Sequence, residues 1–306
     1  MRAINSLFVS LSKNDFQARA VSIEHLRSLE EEIVGNYEKG LLDNEFYQER
    51  LTHFDFGLPK TLDTVRSLIV AAVPRPQTRA IFEWKKMQIP LTIPPTYTAY
   101  DETRRKTEDL IKETISKQGY SSARANLPLK LLAVRSGLGQ YGRNNISYVP
   151  GFGSFHQLVA VYSDLSVEDD LWQDLTMMEA CEKCELCRQA CPSGAISNDR
   201  FLLHTERCLV YHNEKKGDIP FPEWLNSSWH NCLIGCMYCQ RVCPANGRFV
   251  NWFGIKEEFS ERETSQLLSG VTYDELPSVT QTKLKHLDID YLDILPRNLG
   301  VFLNRT

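Results

Sequence analysis

The sequence predicts a mixed α/β fold that leads into a smaller metal-binding segment, and three observations carry that prediction. A short β-branched run, SLIVAAVP at Ser67–Pro74, lies between stretches of helical periodicity and reads as a buried core strand ended by its proline. A second apolar run, LVAVYSDL at 158–165, reads as another buried strand. All nine cysteines fall between Cys181 and Cys243, a segregation that points to a bound inorganic centre. At 306 residues and 42% hydrophobic the chain can bury a substantial core, in one large domain or in two. The boundaries expected are 1–170 for an α/β domain, 171–250 for the cysteine segment and 251–306 for a helical tail.

The opening MRAINSLFVSLSKND has a brief apolar run without a small-residue cleavage pattern, and no later stretch approaches the length of a membrane span. A soluble, cytoplasmic protein with no membrane partner is expected. The net charge of -4 gives no overall electrostatic footprint for nucleic acid, although it leaves room for a local basic patch. From Asp15 the spacing of Val21, Ile23, Leu26, Ile33 and Tyr37 predicts an amphipathic helix stopped at Gly40. Residues 75–100, with Pro76, Pro90, Pro94 and Pro95, read as a long loop whose Tyr97 and Tyr100 line a pocket. Asp101 then opens a helix that turns Leu110, Ile111 and Ile115 inward and stops at Gly119; Asp101 itself suits an N-cap.

Pro128 suits the first turn of a short helix running to about Ser136. The following GLGQYG, 137–142, matches G-x-G-x-x-G, and Asp164 stands where a ribose-binding acid is found in dinucleotide sites. That reading fails on context: the motif follows a helix and leads into turn and strand formers, whereas the fingerprint must follow a strand and open a helix. The glycines are still informative. Gly137, Gly139, Gly142, Gly151 and Gly153 crowd one region, as if the backbone there approached something large and flat.

Cys181, Cys184, Cys187 and Cys191 read C-x2-C-x2-C-x3-C-P, the bacterial ferredoxin run, in which three thiolates wrap one 4Fe-4S cubane and the fourth crosses to a second. Cys236, Cys239 and Cys243, followed by Pro244, supply a shorter run, and Cys208 is placed to be the eighth ligand. The expected pairing is Cys181, Cys184, Cys187 and Cys243 on one cubane, with Cys191, Cys208, Cys236 and Cys239 on the other. Cys232 is left over and reads as buried packing. Zinc sites favour two separated C-x2-4-C pairs, and disulfides suit secreted chains, so both are weaker readings.

Taken together, GLGQYGRNN, GFGSF with its following strand, the two cysteine runs, the lone cysteine in TERC and GCMYCQRVCPAN resemble the epoxyqueuosine reductase family, which is more distantly similar to reductive dehalogenases. The resemblance covers roughly 67–246. It implies an α/β lobe distantly like flavin nitroreductases, holding base-off cobalamin, and a ferredoxin-like double-cluster domain. It also implies that Gly137, Leu138, Gly139, Tyr141, Gly142, Arg143, Asn144, Gly153 and Ser154 contact the corrinoid, with Arg143 where a lysine is more usual. The activity implied is an oxidoreductase that passes electrons from an external low-potential donor of flavodoxin or ferredoxin type, through two clusters, to a corrinoid that reduces a substrate.

Two departures weaken the substrate assignment. The family's acidic segment before GLG is ARANLPLK here, with no acid, and of the family's Arg-Asp-Tyr-His segment only Asp101 matches. The chain is also expected to lack the helical-repeat extension of some relatives. Asp101 and Tyr141 are therefore the candidate proton donors, with Tyr97 and Tyr100 behind them. The substrate is left open; tRNA is an option that the net charge does not indicate. The rival reading is a two-cluster electron carrier serving a partner oxidoreductase without a corrinoid. Farther on, a helix from Ser260 to Gly270 is expected, then short helices in which Arg297 and Asn298 act as structural caps. His156, His204, His212 and His230 lack metal-pair spacing and read as packing or hydrogen-bonding residues, and Trp224, Trp229 and Trp252 are expected to pack the cluster segment.

Overall fold

The computed structural model describes residues 2–289 and 291–304. Its elements begin with α1 (Arg2–Ser12), β1 (Gln17–Ser22), α2 (Leu26–Glu38), a single turn α3 (Asn44–Phe46), β2 (Ser67–Pro74), β3 (Gln77–Trp84) and β4 (Met87–Ile93). There follow α4 (Tyr100–Ser116), β5 (Ser122–Arg124), α5 (Leu129–Arg135), β6 (Gln140–Tyr141), β7 (Ser147–Tyr148) and β8 (His156–Ser163). The remainder is α6 (Leu186–Ala190), α7 (Leu209–Asn213), α8 (Tyr238–Arg241), β9 (Phe253–Phe259), α9 (Glu261–Leu268), α10 (Ser278–Leu287) and α11 (Leu295–Leu303). They form two compact units. One comprises Met1–Pro74, Tyr100–Glu185 and Asn198–His204, the other Arg75–Ala99, Leu186–Ser197 and Thr205–Thr306.

The first unit is built on a four-stranded sheet, order β1-β2-β8-β5, antiparallel throughout. Unbroken apolar strands usually mean a sheet covered on both faces, and here they do so in an antiparallel sheet. The pleat sorts the side chains with period 2. Leu68, Val70 and Ala72 of β2 enter one core with Leu29 of α2 and Leu132 of α5. Ile69 and Ala71 enter the opposite core, with Leu7 and Leu11 of α1 and Ile111 and Ile115 of α4. The expected strands at 67–74 and 158–165 and the helix after Pro128 are therefore present; the helix expected to open at Asp101 already includes Tyr100, so Asp101 stands in its first turn and is not its N-cap.

The helix expected from Asp15 is corrected. Residues 17–22 pair with β2 as an edge strand, and the helix begins only at Leu26. Val21 points into the core from the strand, so its apolar character fitted both periods. Gly40 does end the helical region, with a φ of 68° that favours glycine.

The long loop expected over 75–100 is also corrected. It holds the hairpin of β3 and β4, joined by Lys85 and Lys86 at φ 49° and 65°, and β9 pairs parallel to β3. Two-residue hairpin turns want positive φ at both positions and normally signal it with Asn-Gly; two lysines give no such signal. Pro90 is tolerated because β4 is the edge of the sheet, order β4-β3-β9. This sheet carries 75–99 into the second unit together with most of the cysteine segment and the C-terminal helices, a division that differs from the boundaries drawn on the sequence. Phe82 and Phe259 stack at 5.0 Å in its core, against α9, α10 and α11. The α9 helix starts as expected at Ser260, whose side chain and Glu263 form a reciprocal cap, and Gly270 follows its end at φ 73°.

Arg297 and Asn298 brace the second unit. The Arg297 guanidinium donates to the carbonyls of Asn213, Lys215, Lys216 and Ile219. Buried Asn298 donates to the carbonyls of Asn213 and Leu233, and Asn213 donates to that of Gly235. The structural role expected for the pair holds. Trp224, although 47% exposed, packs edge-on to the buried His212 ring at 5.2 Å.

Lys86→Gly relieves a left-handed residue without removing a core contact. It is expected to stabilise the protein by about 0.5–1 kcal/mol, whereas Lys86→Ala gains nothing. Denaturant midpoints measure this, and a glycine variant less stable than the parent contradicts the turn geometry.

Candidate functional site

A cavity of about 570 Å³ opens within the first unit. Its walls are mostly apolar, from Leu41, Phe46, Phe54 and Leu131, with Tyr100, Tyr141 and the carboxamides of Asn36, Asn126 and Asn145 among them. The segment Asn198–His204 closes part of the wall: Arg200 donates to the carbonyl of Leu41 at 3.2 Å and Phe201 packs edge-on to Tyr141 at 5.3 Å. Glu32 also lines it, but its charge is met by Arg135 at 2.6 Å.

Tyr141 is held by its backbone on both sides, through β6–β7 pairing and through a bond from the Met178 amide to its carbonyl at 2.8 Å. Burial, reinforced by the nearby Glu32 carboxylate, pushes its phenol well above the ordinary tyrosine range. It therefore stays protonated and can donate. Asp101 differs in every respect. Its side chain is 68% exposed and paired with Arg104 at 2.9 Å, and the hydrogen bond from Arg104 holds its carboxyl below the usual range. It is not among the residues that line the cavity.

The glycine-rich stretch does not wrap a helix start; it forms the β6–β7 hairpin and its flanks. A Cβ at Gly139 would lie 2.7 Å from the Tyr148 carbonyl oxygen, and one at Gly142 would lie 2.6 Å from both the Tyr148 ring and Asn144 Oδ1. Close packing within the hairpin thus accounts for these two glycines. Gly137, at φ 71°, turns the chain out of α5, and Leu138 is buried in the core. Asn144 donates to the Tyr148 hydroxyl at 2.9 Å, and Ser154 is buried. Arg143 donates to the carbonyls of Cys181 and Glu182 at 2.7 and 3.2 Å, tying the hairpin to the start of the cysteine run. Gly153, at φ 58°, presents its carbonyl to His156 Nδ1. Of the nine residues proposed for a corrinoid, Tyr141 alone lines this cavity. Asn126, Asn145, Arg200 and Phe201 also line it, scattered through the sequence with no shared motif; Tyr100 is there too, whereas Tyr97 is half-buried in the other unit, bonded to Glu214.

Among the described residues no disulfide joins any of the nine cysteines. In the second unit, Cys191 and Cys236 stand close enough to Cys208 for their charges to raise its thiol, and Cys191 acts on Cys236 in the same sense. Burial pushes the Cys208 thiol up to about 12, and burial likewise raises Cys236. Their sulfurs nevertheless receive donors. The amides of Val210 and Tyr211 face Cys208, and the Tyr238 amide and Asn231 Nδ2 face Cys236. Buried sulfurs ringed by N–H donors fit thiolate ligands of an iron–sulfur cluster, where the metal replaces the proton. Among the described residues no three His, Cys, Asp or Glu side chains converge as ligands of a single ion.

Residues 180–246 match the family model of a 4Fe-4S double cluster binding domain. A 132-residue stretch is 31% identical to the epoxyqueuosine reductase of Atelocyanobacterium thalassa (isolate ALOHA), covering 43% of this chain and 42% of that protein. The chain resembles the epoxyqueuosine reductases. The solved epoxyqueuosine reductase of Streptococcus thermophilus superposes over 99% of this chain and 81% of its own, with a TM-score of 0.68 at 18% identity, a likeness of fold. An epoxyqueuosine reductase solved with an epoxyqueuosine-modified tRNA stem loop has a TM-score of 0.66 at 20% identity, over 94% of this chain and 76% of its own. Aligned by sequence, this epoxyqueuosine reductase-like chain spans less than half the length of the curated relatives it matches. The expected fold, a mixed α/β lobe with a double 4Fe-4S segment, is thereby established. Among the described residues no helix is long and apolar enough to cross a membrane.

His156 anchors the turn before β8. Its Nδ1–H donates to the Gly153 carbonyl, and Nε2 accepts from Ser147 Oγ at 3.3 Å. Burial pulls its pKa from 6.5 to about 4. The folded state therefore prefers neutral imidazole, and its contribution is full above pH 6.5 and lost as pH falls toward 4. The loss amounts to roughly 3 kcal/mol. Thermal melts across pH 4–7 should show this acid slope in the wild type and a shallower one in His156→Gln; parallel slopes would remove His156 from the account.

Proposed function

We propose that this protein is a corrinoid-dependent iron–sulfur reductase of the epoxyqueuosine reductase kind. The observation that carries the reading is a pairing within one chain: a double 4Fe-4S domain, and in the first unit a cavity whose wall holds a buried, protonated phenol. Apolar walls edged with carboxamides suit a flat macrocycle bearing amide side chains, which is the chemistry of cobalamin. Bound there, a corrinoid supplies a strong reductant and nucleophile.

The chain's own residues orient and protonate. The proposed ligands are Cys181, Cys184, Cys187 and Cys243 for one cluster and Cys191, Cys208, Cys236 and Cys239 for the other. Tyr141, fixed by β6 and by the Met178 amide, holds its proton at the phenolic oxygen, so it is the general acid of this reading; Asp101, ionised and outward, is not. The Phe201 ring, packed edge-on to Tyr141, covers one side of it. A tRNA bearing epoxyqueuosine is the first substrate to try, as a relative has been solved with such a stem loop. The electron donor is proposed as a low-potential flavodoxin or ferredoxin. A plain two-cluster carrier is the rival, and it gives no role to a cavity of about 570 Å³ walled by apolar side chains and carboxamides.

Anaerobic reconstitution with hydroxocobalamin, desalting, and absorption and EPR spectroscopy test the proposal. About one corrinoid per chain with a base-off signal is expected; clusters without retained corrinoid favour the carrier. Tyr141→Phe should retain clusters and corrinoid while lowering turnover of the modified tRNA about 100-fold. Unchanged turnover would remove Tyr141 as the acid.

A further inference from the structure

Cys232 is fully buried, and it is the cysteine that the ligand count leaves over. Its surroundings show a specific task. Its thiol donates to Asn231 Oδ1 at 3.1 Å, and the Met237 amide donates to the same oxygen at 2.9 Å. With both of those donors on its oxygen, the Asn231 carboxamide can present only its nitrogen on the other side. That nitrogen donates to Cys236 Sγ at 3.1 Å.

We propose that Asn231, oriented by Cys232, is a positioning residue that donates a hydrogen bond to the cluster-ligating sulfur of Cys236 and thereby raises the reduction potential of that cluster. The proposal rests on the reading of Cys236 as a ligand. The physical argument is electrostatic. Reduction adds a negative charge shared by the cluster and its sulfurs, and an N–H pointed at one of those sulfurs stabilises the reduced form more than the oxidised one. A carboxamide is free to flip end for end, which would turn an oxygen lone pair toward the sulfur and reverse the effect. Two donors locked on Asn231 Oδ1 forbid the flip. One of them is backbone and fixed; the other is the Cys232 thiol. The Tyr238 amide also faces Cys236, so loss of Asn231 weakens the donor set without emptying it.

The test is an EPR-monitored redox titration of the full-length, anaerobically reconstituted protein, alongside iron and sulfide analysis. Asn231→Leu is expected to keep about eight irons per chain, as two 4Fe-4S clusters require. It should shift one midpoint downward by about tenfold in the oxidised-to-reduced ratio at fixed potential, about 59 mV for a one-electron couple, and leave the other in place. Cys232→Ala should shift the same midpoint in the same direction by less, and Cys232→Ser, which keeps a donor, should restore it. Full iron with unmoved midpoints in Asn231→Leu overturns the proposal. Should that variant fail to fold, the cysteine pair decides: Ala and Ser variants that both match the wild type overturn it. A fall to about four irons in Cys232→Ala would make Cys232 a ligand and overturn it as well. About four irons in the wild type would instead overturn the two-cluster reading beneath it.

Discussion

The constraint on which the second unit depends is the satisfaction of backbone carbonyls in a segment that has little regular structure. Cluster ligands must be presented by short turns and single helical turns, and such backbone leaves polar groups that neither ladder nor helix can pair. Arg297 and Asn298 answer this from the far end of the chain. Five carbonyls between Asn213 and Leu233 accept from those two side chains, and Asn213 passes the connection on to Gly235, next to Cys236. The close approach this requires is visible at Gly217, where a Cβ would fall 1.8 Å from the Asp293 carbonyl oxygen. A guanidinium suits the task because its planar fork can serve several acceptors at once, which an ammonium on a flexible stem does less rigidly.

The first unit meets a different constraint. A sheet covered on both faces leaves no room for a ligand within its layers, so its cavity lies where α2, α5 and the β6–β7 hairpin meet loops beyond the sheet. The wall is completed by Asn198–His204, a short excursion from within the cysteine segment, and Arg200 fastens it to the loop after α2. The hairpin is packed from within, since Tyr148 fills the space beside Gly139 and Gly142. Tyr141 therefore projects from a closely packed support.

What the sequence made legible was local chemistry. Ligand spacing in the two cysteine runs is a short-range pattern with few other meanings, and a β-branched run such as 67–74 has one stable home, a buried strand. The misreadings occurred where local signals were silent or shared. Lys85 and Lys86 turn a hairpin without glycine or asparagine, so 75–99 looked like loop. Val21 suited both a strand and a helix, and pairing with β2 decided. The glycines around 139–142 suggest space for a ligand on sequence alone, but Tyr148 occupies that space. Arg200 and Asn36 reach the cavity only through the fold, and nothing near either in sequence marks it.

Asn231 and Cys232 belong to a third kind of information, which spacing hides rather than reveals. A cysteine near a cluster invites counting as a ligand, and when the count is complete it is set aside as packing. The hydrogen-bond directions separate these meanings, because a thiol that donates to a carboxamide oxygen is acting as a polar anchor. The same carboxamide faces a sulfur that the ligand pattern selects independently. Ligand identity and the orientation of its neighbour are therefore specified by adjacent residues in one short loop, and that loop is held in turn by Asn298 at Leu233 and by Asn213 at Gly235. The C-terminal helix and the loop that carries the donor beside Cys236 are thus joined through the side chains of Asn298 and Asn213, both buried and hydrogen-bonded.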